Sequence, residues 1–242
     1  EYIMSGLPIV LNTAKYEVEL PISKKTVEYR PYLVKEEKQL MLAIESQDPA
    51  MIMKTVQDII DACTFGEIKS RNLPTAELEL LFLKLRSKSV GETAKIGYKC
   101  TNCNTTNELT VNLEDVTIDL GDKQVDNKIM INDKVGVILK YPTTEEVTRI
   151  MNAGDKTDVK NIFALVTSCI ETIFDEENTY DTKNVEKKEI EAFVESLNSK
   201  QFEKIKEFFE NIPKLRKDVS FDCEKCGTHN PLVLEGLQNF FG

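Results

Sequence analysis

Histidine is nearly missing from this chain, with one in 242 residues. So little imidazole leaves little room for general acid–base work near neutral pH. The motifs that frame common active sites are missing too: there is no GxSxG elbow, Walker loop, HExxH pair or dinucleotide-binding glycine pattern. Acidic runs do occur, at Glu145-Glu146 and Asp175-Glu176-Glu177, but such runs are ordinarily helix caps or solvated loops. Positive charge is in deficit: 31 Lys and Arg stand against 41 Asp and Glu, for a formal charge of −10. That balance disfavours generic binding to a phosphate backbone. No apolar run approaches the length of a membrane span. Residues 2–11 are mildly apolar but lack a basic flank and a cleavage site, so no secretion signal is expected. The remaining composition, 41% hydrophobic and 30% charged, is that of a soluble globular chain able to bury a core in one large or two small domains.

What the chain does have is cysteine in a pattern. Cys100 and Cys103 form one CxxC, and Cys223 and Cys226 form a second far downstream. Two cysteines at this spacing turn both sulfurs toward one point, and two such turns complete a tetrahedral thiolate site. Each pair follows a strand-like run, residues 95–99 and 219–222, and Gly227 suits a tight turn because it takes positive φ freely. The layout is that of a zinc ribbon split by a long insertion, with Cys100, Cys103, Cys223 and Cys226 as ligands to one structural Zn2+. Closing so long a loop costs on the order of 4 kcal/mol, whereas a structural zinc contributes about 10–16 kcal/mol, so the metal prevails. A fully thiolate-ligated zinc has no open position and does no chemistry. Cys63, Cys169 and His229 remain as other possible ligands, and His229, three residues past Cys226, is able to replace one thiolate. Redox-active CxxC pairs or four unligated thiols are the rival readings, but neither pair sits in the βαβ context of a thioredoxin-like site. Cysteines in such pairs favour a reducing compartment.

Along the chain, residues 1–33 read as extended: Tyr16, Val18 and Leu20 alternate with Glu17 and Glu19, and Val27 and Tyr29 alternate before Pro31. This is an edge strand or a partner-binding arm. Leu40, Met41 and Ile44 mark a first helix closing near Ser46. Asp48-Pro49 caps a second, with Ile52, Val56, Ile59 and Ile60 as its stripe. The helix opened by Pro74-Thr75 is apolar almost all round, at Leu78, Leu80, Leu81, Phe82, Leu83 and Leu85, which places it centrally. From 92 to 141 the period becomes two, with a hairpin expected around Asp133-Lys134. Residues 143–146 form a capping box, and Gly154-Asp155 breaks the helix it starts. A further helix carries Ile162, Val166, Cys169, Ile170 and Ile173, followed by an acidic loop at 175–183. The last two helices follow the i, i+3, i+4 rule at Ile190, Phe193, Val194 and Leu197, then at Phe202, Ile205, Phe208, Phe209 and Ile212. Cys63 and Cys169 are expected in the core. Phe240 and Phe241 are expected to tuck under the ribbon rather than anchor a neighbour. The fold class is therefore α+β, a mostly helical body with a small antiparallel β ribbon. The expected divisions are an extended segment at 1–33, a helical body at 34–91 and 143–215, and a split zinc-ribbon subdomain at 92–142 and 216–242.

Three stretches carry a family resemblance: residues 30–40 (RPYLVKEEKQL), 77–92 (ELELLFLKLRSKSVGE), and 193–241 with its FEKIKEFF helix, second knuckle and EGLQNFF ending. Together they resemble the T-even-type bacteriophage baseplate hub family, tail proteins of contractile-tailed phages. The resemblance implies a non-enzymatic, structural or assembly component of the baseplate hub, with no catalytic residues to carry over. Its implied partners are other hub proteins and the tape-measure protein. The implied location is the virion tail baseplate, within a larger oligomer, after assembly in the host cytoplasm. The zinc site is argued from spacing and not from the family. The alternative is a nucleic-acid-binding zinc-ribbon regulator, for which Lys95, Lys99, Lys214, Arg216, Lys217 and Lys225 near the knuckles would be the contacts; their other role is to offset the negative zinc–thiolate centre. A thiol oxidoreductase is the third option and requires a cysteine of low pKa.

Overall fold

The helix that is apolar all round, α3 (Thr75–Ser89), stands between two cores in the computed structural model, which describes residues 14–121, 126–152 and 158–240. Leu78, Leu81, Phe82 and Leu85 recur at helical spacing on one side and enter a core with the preceding elements. Ala76, Leu80 and Leu83 on the other side enter a core with the ribbon. At about 1.5–3 kcal/mol for each fully buried large side chain, this helix is the main hydrophobic joint of the molecule.

The first core is built from the N-terminal segment and two helices. β1 (Tyr16–Leu20) and β2 (Lys25–Tyr29) pair antiparallel, Tyr16 opposite Tyr29 and Val18 opposite Val27. Leu20, Val27 and Tyr29 are buried and Glu17, Glu19 and Lys25 exposed, so the alternation read from the sequence points one face at the body. Over these residues the segment is a hairpin laid on α3. Residues 1–13, including the apolar stretch 2–11, lie outside the described residues. α1 (Val34–Glu45) and α2 (Pro49–Cys63) follow, and the Asp48 side chain caps α2 by accepting the Ala50 N–H at 2.9 Å. The stripe expected on α1 needs correction. Leu40 is buried, but Met41 and Ile44 are exposed and Ala43 and Glu36 face inward instead. Glu36 is admitted because it pairs with Arg30 at 3.0 Å and accepts the Leu33 N–H at 2.6 Å, which satisfies its charge.

The second core belongs to the ribbon. β3 (Thr93–Lys99) pairs with β4 (Thr106–Asn112), and β10 (Lys214–Asp222) pairs with β11 (His229–Glu235) and with β5 (Thr117–Asp119). Phe240 is fully buried here, as the tucked-under reading requires; Phe241 lies outside the described residues.

The third core lies within the stretch that separates the two cysteine pairs. β6 (Lys128–Met130) and β7 (Gly136–Leu139) form the hairpin expected around Asp133-Lys134. They join not the ribbon but β8 (Ile170–Phe174) and β9 (Thr179–Asp181), in a four-stranded antiparallel sheet. α4 (Thr144–Asn152) begins on the expected capping box, where the Thr143 N–H donates to Glu146 at 2.9 Å. α5 (Asp158–Cys169), α6 (Lys187–Glu195) and α7 (Ser199–Glu210) complete the lobe, and α5, α6 and α7 cover the sheet with Val166, Ile190, Val194, Ile205 and Phe208. Two expectations change here. Ile170 and Ile173 continue the helical spacing of Ile162, Val166 and Cys169, yet the helix stops at Cys169 and both isoleucines lie on β8. A run of β-branched residues gains a ladder with β7, Ile173 opposite Val137, and tertiary pairing overrides the periodicity. Within the stretch expected to be a loop, Thr179–Asp181 is an edge strand on β8. Gly154 and Asp155 are outside the described residues. Among the described residues there are thus seven α-helices and four small antiparallel sheets, an α+β protein with more strand in its body than the sequence suggested.

Candidate metal centre

Each CxxC is the turn of a hairpin. In the first, the Cys100 N–H donates to the Thr105 carbonyl at 2.9 Å and the Asn104 N–H returns to the Cys100 carbonyl at 3.0 Å. In the second, Cys223 N–H meets Thr228 at 2.9 Å and Gly227 N–H meets Cys223 at 2.8 Å. Both turns need a left-handed residue after the second cysteine: Gly227 at φ +69° and Asn104 at φ +57°. Glycine pays no steric cost there, and asparagine is among the few side chains that tolerate it.

The two turns meet. One sulfur from each of Cys100, Cys103, Cys223 and Cys226 lies within 4.8 Å of all the others. Cys100 and Cys226 are separated by 3.6 Å between sulfurs, as are Cys103 and Cys223. A disulfide would hold its sulfurs at about 2.05 Å. A tetrahedron of thiolates at about 2.3 Å from an ion has edges of about 3.8 Å. The donor set and its spacing therefore suit a tetrahedral metal. His229 is not drawn in; its Nδ1 lies 2.8 Å from Asp222. Cys63 and Cys169 are buried in other parts of the fold, and burial pushes their thiols up to about 11 and about 12. They are core residues.

The surroundings favour thiolate at some of the four sulfurs. The Thr228 hydroxyl, then its backbone N–H, pulls the Cys226 thiol down to about 6. The backbone N–H of Cys103 is the chief cause that lowers Cys100. Cys223 goes the other way: the N–H of Cys226 lowers it, but burial and the neighbouring sulfurs of Cys103 and Cys226 outweigh that and raise it.

Two residues of this centre escaped the sequence reading. Asn107 and Asn230 are both buried, each seven positions after the first cysteine of its pair. The Asn107 side-chain carbonyl accepts the Glu224 N–H of the opposite turn at 3.0 Å, and its amide donates to the Thr105 carbonyl at 2.8 Å and lies 3.7 Å from the Cys223 sulfur. Asn230 mirrors it, accepting the Thr101 N–H at 3.0 Å and donating to the Thr228 carbonyl at 2.7 Å, with the Cys100 sulfur at 3.7 Å. The signal was available. Cys-x-x-Cys-x-Thr-x-Asn occurs twice, at 100–107 and 223–230. The flanks agree as well, with Ile96, Tyr98, Leu109 and Val111 in one hairpin standing where Val219, Phe221, Leu232 and Leu234 stand in the other.

The basic residues near the turns are largely neutralised. Lys95 pairs with Glu108, Lys214 with Glu235, Arg216 with Asp119 and Asp218, and Lys217 with Asp115. Such exposed pairs contribute little stability, but they leave a mixed surface where a phosphate-binding one would be basic. No helix among the described residues is long and apolar enough to cross a membrane.

Fold and site define the class: an α+β protein in which two copies of one hairpin bring four cysteines to a site able to hold a metal. The model of the family described as T4 bacteriophage base plate protein matches residues 13–242, and the chain belongs to that family. The baseplate hub assembly protein gp26 of Enterobacteria phage T4 is 26% identical over 228 residues, covering 94% of this chain and 98% of the relative. No solved structure matches the chain significantly.

Proposed function

We propose that this protein is a non-enzymatic structural or assembly component of a phage tail baseplate hub, its split ribbon stapled by one structural Zn2+ on Cys100, Cys103, Cys223 and Cys226. The observation that carries the hub reading is the near end-to-end match to a hub assembly protein. The want of catalytic motifs and the near absence of histidine agree with it. The zinc reading rests on the four converging sulfurs and the tetrahedral scale of their spacing. The ribbon, standing on α3, is then one stapled unit, and the lobe between β6 and α7 is carried as an insert between its two halves.

Its partners are other baseplate hub proteins, with the tape-measure protein as a further contact, and it acts within an oligomeric particle. It is made in the host cytoplasm and located at the tail baseplate. The hub reading is tested with a phage in which this chain is not made. Lysates are expected to contain no complete baseplates by electron microscopy, and normal contractile tails would refute the role. Mass spectrometry of purified tails decides whether the protein stays in the particle.

A further inference from the structure

We propose that Asn107 and Asn230 are reciprocal positioning residues for the metal, each holding the opposite turn in place and donating an N–H to the opposite first cysteine. This rests on the zinc reading above and goes beyond the choice of ligands. Each asparagine is buried, each spans from its own hairpin to the other, and each places its amide nitrogen 3.7 Å from a sulfur not of its own pair. The carbonyl end secures the backbone of the partner turn, through Glu224 in one case and Thr101 in the other. The amide end is fixed by the carbonyl of Thr105 or Thr228, so it cannot rotate away without losing a bond.

The physical consequence is twofold. The turns come from hairpins far apart in sequence, and two crossed clamps hold them face to face before any ion arrives, which lowers the ordering cost of binding. Four thiolates around a divalent ion leave a net charge of −2. Each N–H directed at a sulfur takes up part of that charge in a site where Cys100 and Cys223 are buried. Because the two asparagines occupy equivalent places in the repeated hairpin, their contributions are expected to match.

The test uses the full chain. Zinc stoichiometry and affinity are measured by competition with a chromophoric chelator, and the sulfur-to-metal charge-transfer band is recorded after loading with Co2+. The native sequence is compared with Asn107→Ala, Asn230→Ala and Asn107→Asp. Each variant is expected to bind one ion with affinity reduced about 10- to 100-fold. The band should move to longer wavelength, because a sulfur without its N–H donor holds its lone pair less tightly. The Asn107→Asp variant keeps an acceptor for the Glu224 N–H while removing the amide donor shared by the Thr105 carbonyl and Cys223, so it separates the clamp on the opposite turn from the amide end even if an alanine variant fails to fold. Native affinity with a native band in all variants would overturn the proposal, as would a band that stays native in Asn107→Asp. A native chain that binds no metal would overturn the zinc reading and this one together, whereas native binding with indifferent variants would overturn only this one.

Discussion

The Glu77 carboxylate accepts the backbone N–H of Ser23 at 2.7 Å and that of Ile22 at 2.8 Å, with its side chain wholly buried. Glu77 lies in the first turn of α3, where an acidic side chain also faces the positive end of the helix. The tip of the N-terminal hairpin is therefore secured to the central helix by a charged acceptor, and the segment is part of the body at this point. Replacing Glu77 with Ala leaves two N–H groups without that acceptor and is expected to destabilise the protein by about 2–4 kcal/mol. Glu77→Gln keeps one carbonyl for both and should cost about 1 kcal/mol less. Urea unfolding of the two variants checks the order, and equal losses would count against it.

Glu36 gives the stability a pH dependence whose sign follows from its surroundings. Burial acts to raise its pKa, but the hydrogen bond from Arg30, the Leu33 N–H and the charges of Arg30 and Lys35 outweigh it and hold the carboxyl below its usual value. A group depressed on folding contributes stability above its unfolded pKa, near 4.3, and loses it as pH falls through the lower folded value. At pH 7, Glu36→Gln is expected to cost about 2–3 kcal/mol, since it leaves Arg30 largely buried without its partner. The two proteins should converge in stability as pH falls below 4. A difference that persists undiminished at pH 3 would show that the charge is not the cause.

The sequence made the central helix, the capping box at 143–146 and the four converging cysteines legible because each is a local pattern with a strong physical cause. Leu78 to Leu85 cannot be solvated on any face, and CxxC has few uses in a chain without a redox fold. The strands β8 and β9 were not legible, since Ile170 and Ile173 fit a helical stripe as well as a ladder with β7, and only the partner strand decides. The inward face of α1 is not legible from Leu40, Met41 and Ile44 for a similar reason: α1 has apolar residues on both faces, and the buried Glu36–Arg30 pair fixes which one turns inward. Asn107 and Asn230 went unread because an isolated asparagine carries no signal. Only comparison of the two hairpins with each other reveals their equivalence.

Gly136 faces Phe174 across the β7–β8 ladder, and a Cβ at residue 136 would collide with the Phe174 ring. The constraint is close approach, so Gly136→Ala is expected to cost about 1–3 kcal/mol by overpacking. Adding Phe174→Leu should recover part of the loss, since the clash is with the ring itself. Thermal unfolding of the single and double variants measures the coupling. Strict additivity would mean that the ring moves aside without cost.

Metal removal should act unevenly, because the second core contains the ribbon while the third is made of β6–β8 and α5–α7 with no cysteine ligand among its residues. Chelation of the proposed zinc, or Cys223→Ser, is expected to strip hydrogen-exchange protection from the amides of β3, β4, β10 and β11. Those of α6 and α7 should retain theirs at first. The hairpins are short, and without the ion their turns are held by the two asparagine clamps, the Asn102 amide on the Thr228 hydroxyl and a few main-chain bonds. The loss in the ribbon should be at least about 4 kcal/mol, in the range reserved for a missing metal. The third lobe is bonded to the segment just before α3 through Thr144, whose N–H and hydroxyl both donate to the Leu73 carbonyl at 3.0 and 3.1 Å. Disturbance reaching α3 would therefore spread to the lobe only after the ribbon core has opened. Simultaneous loss of protection in both regions would mean that the metal secures the whole fold as one cooperative unit, and unchanged protection in the ribbon would rule out a structural ion.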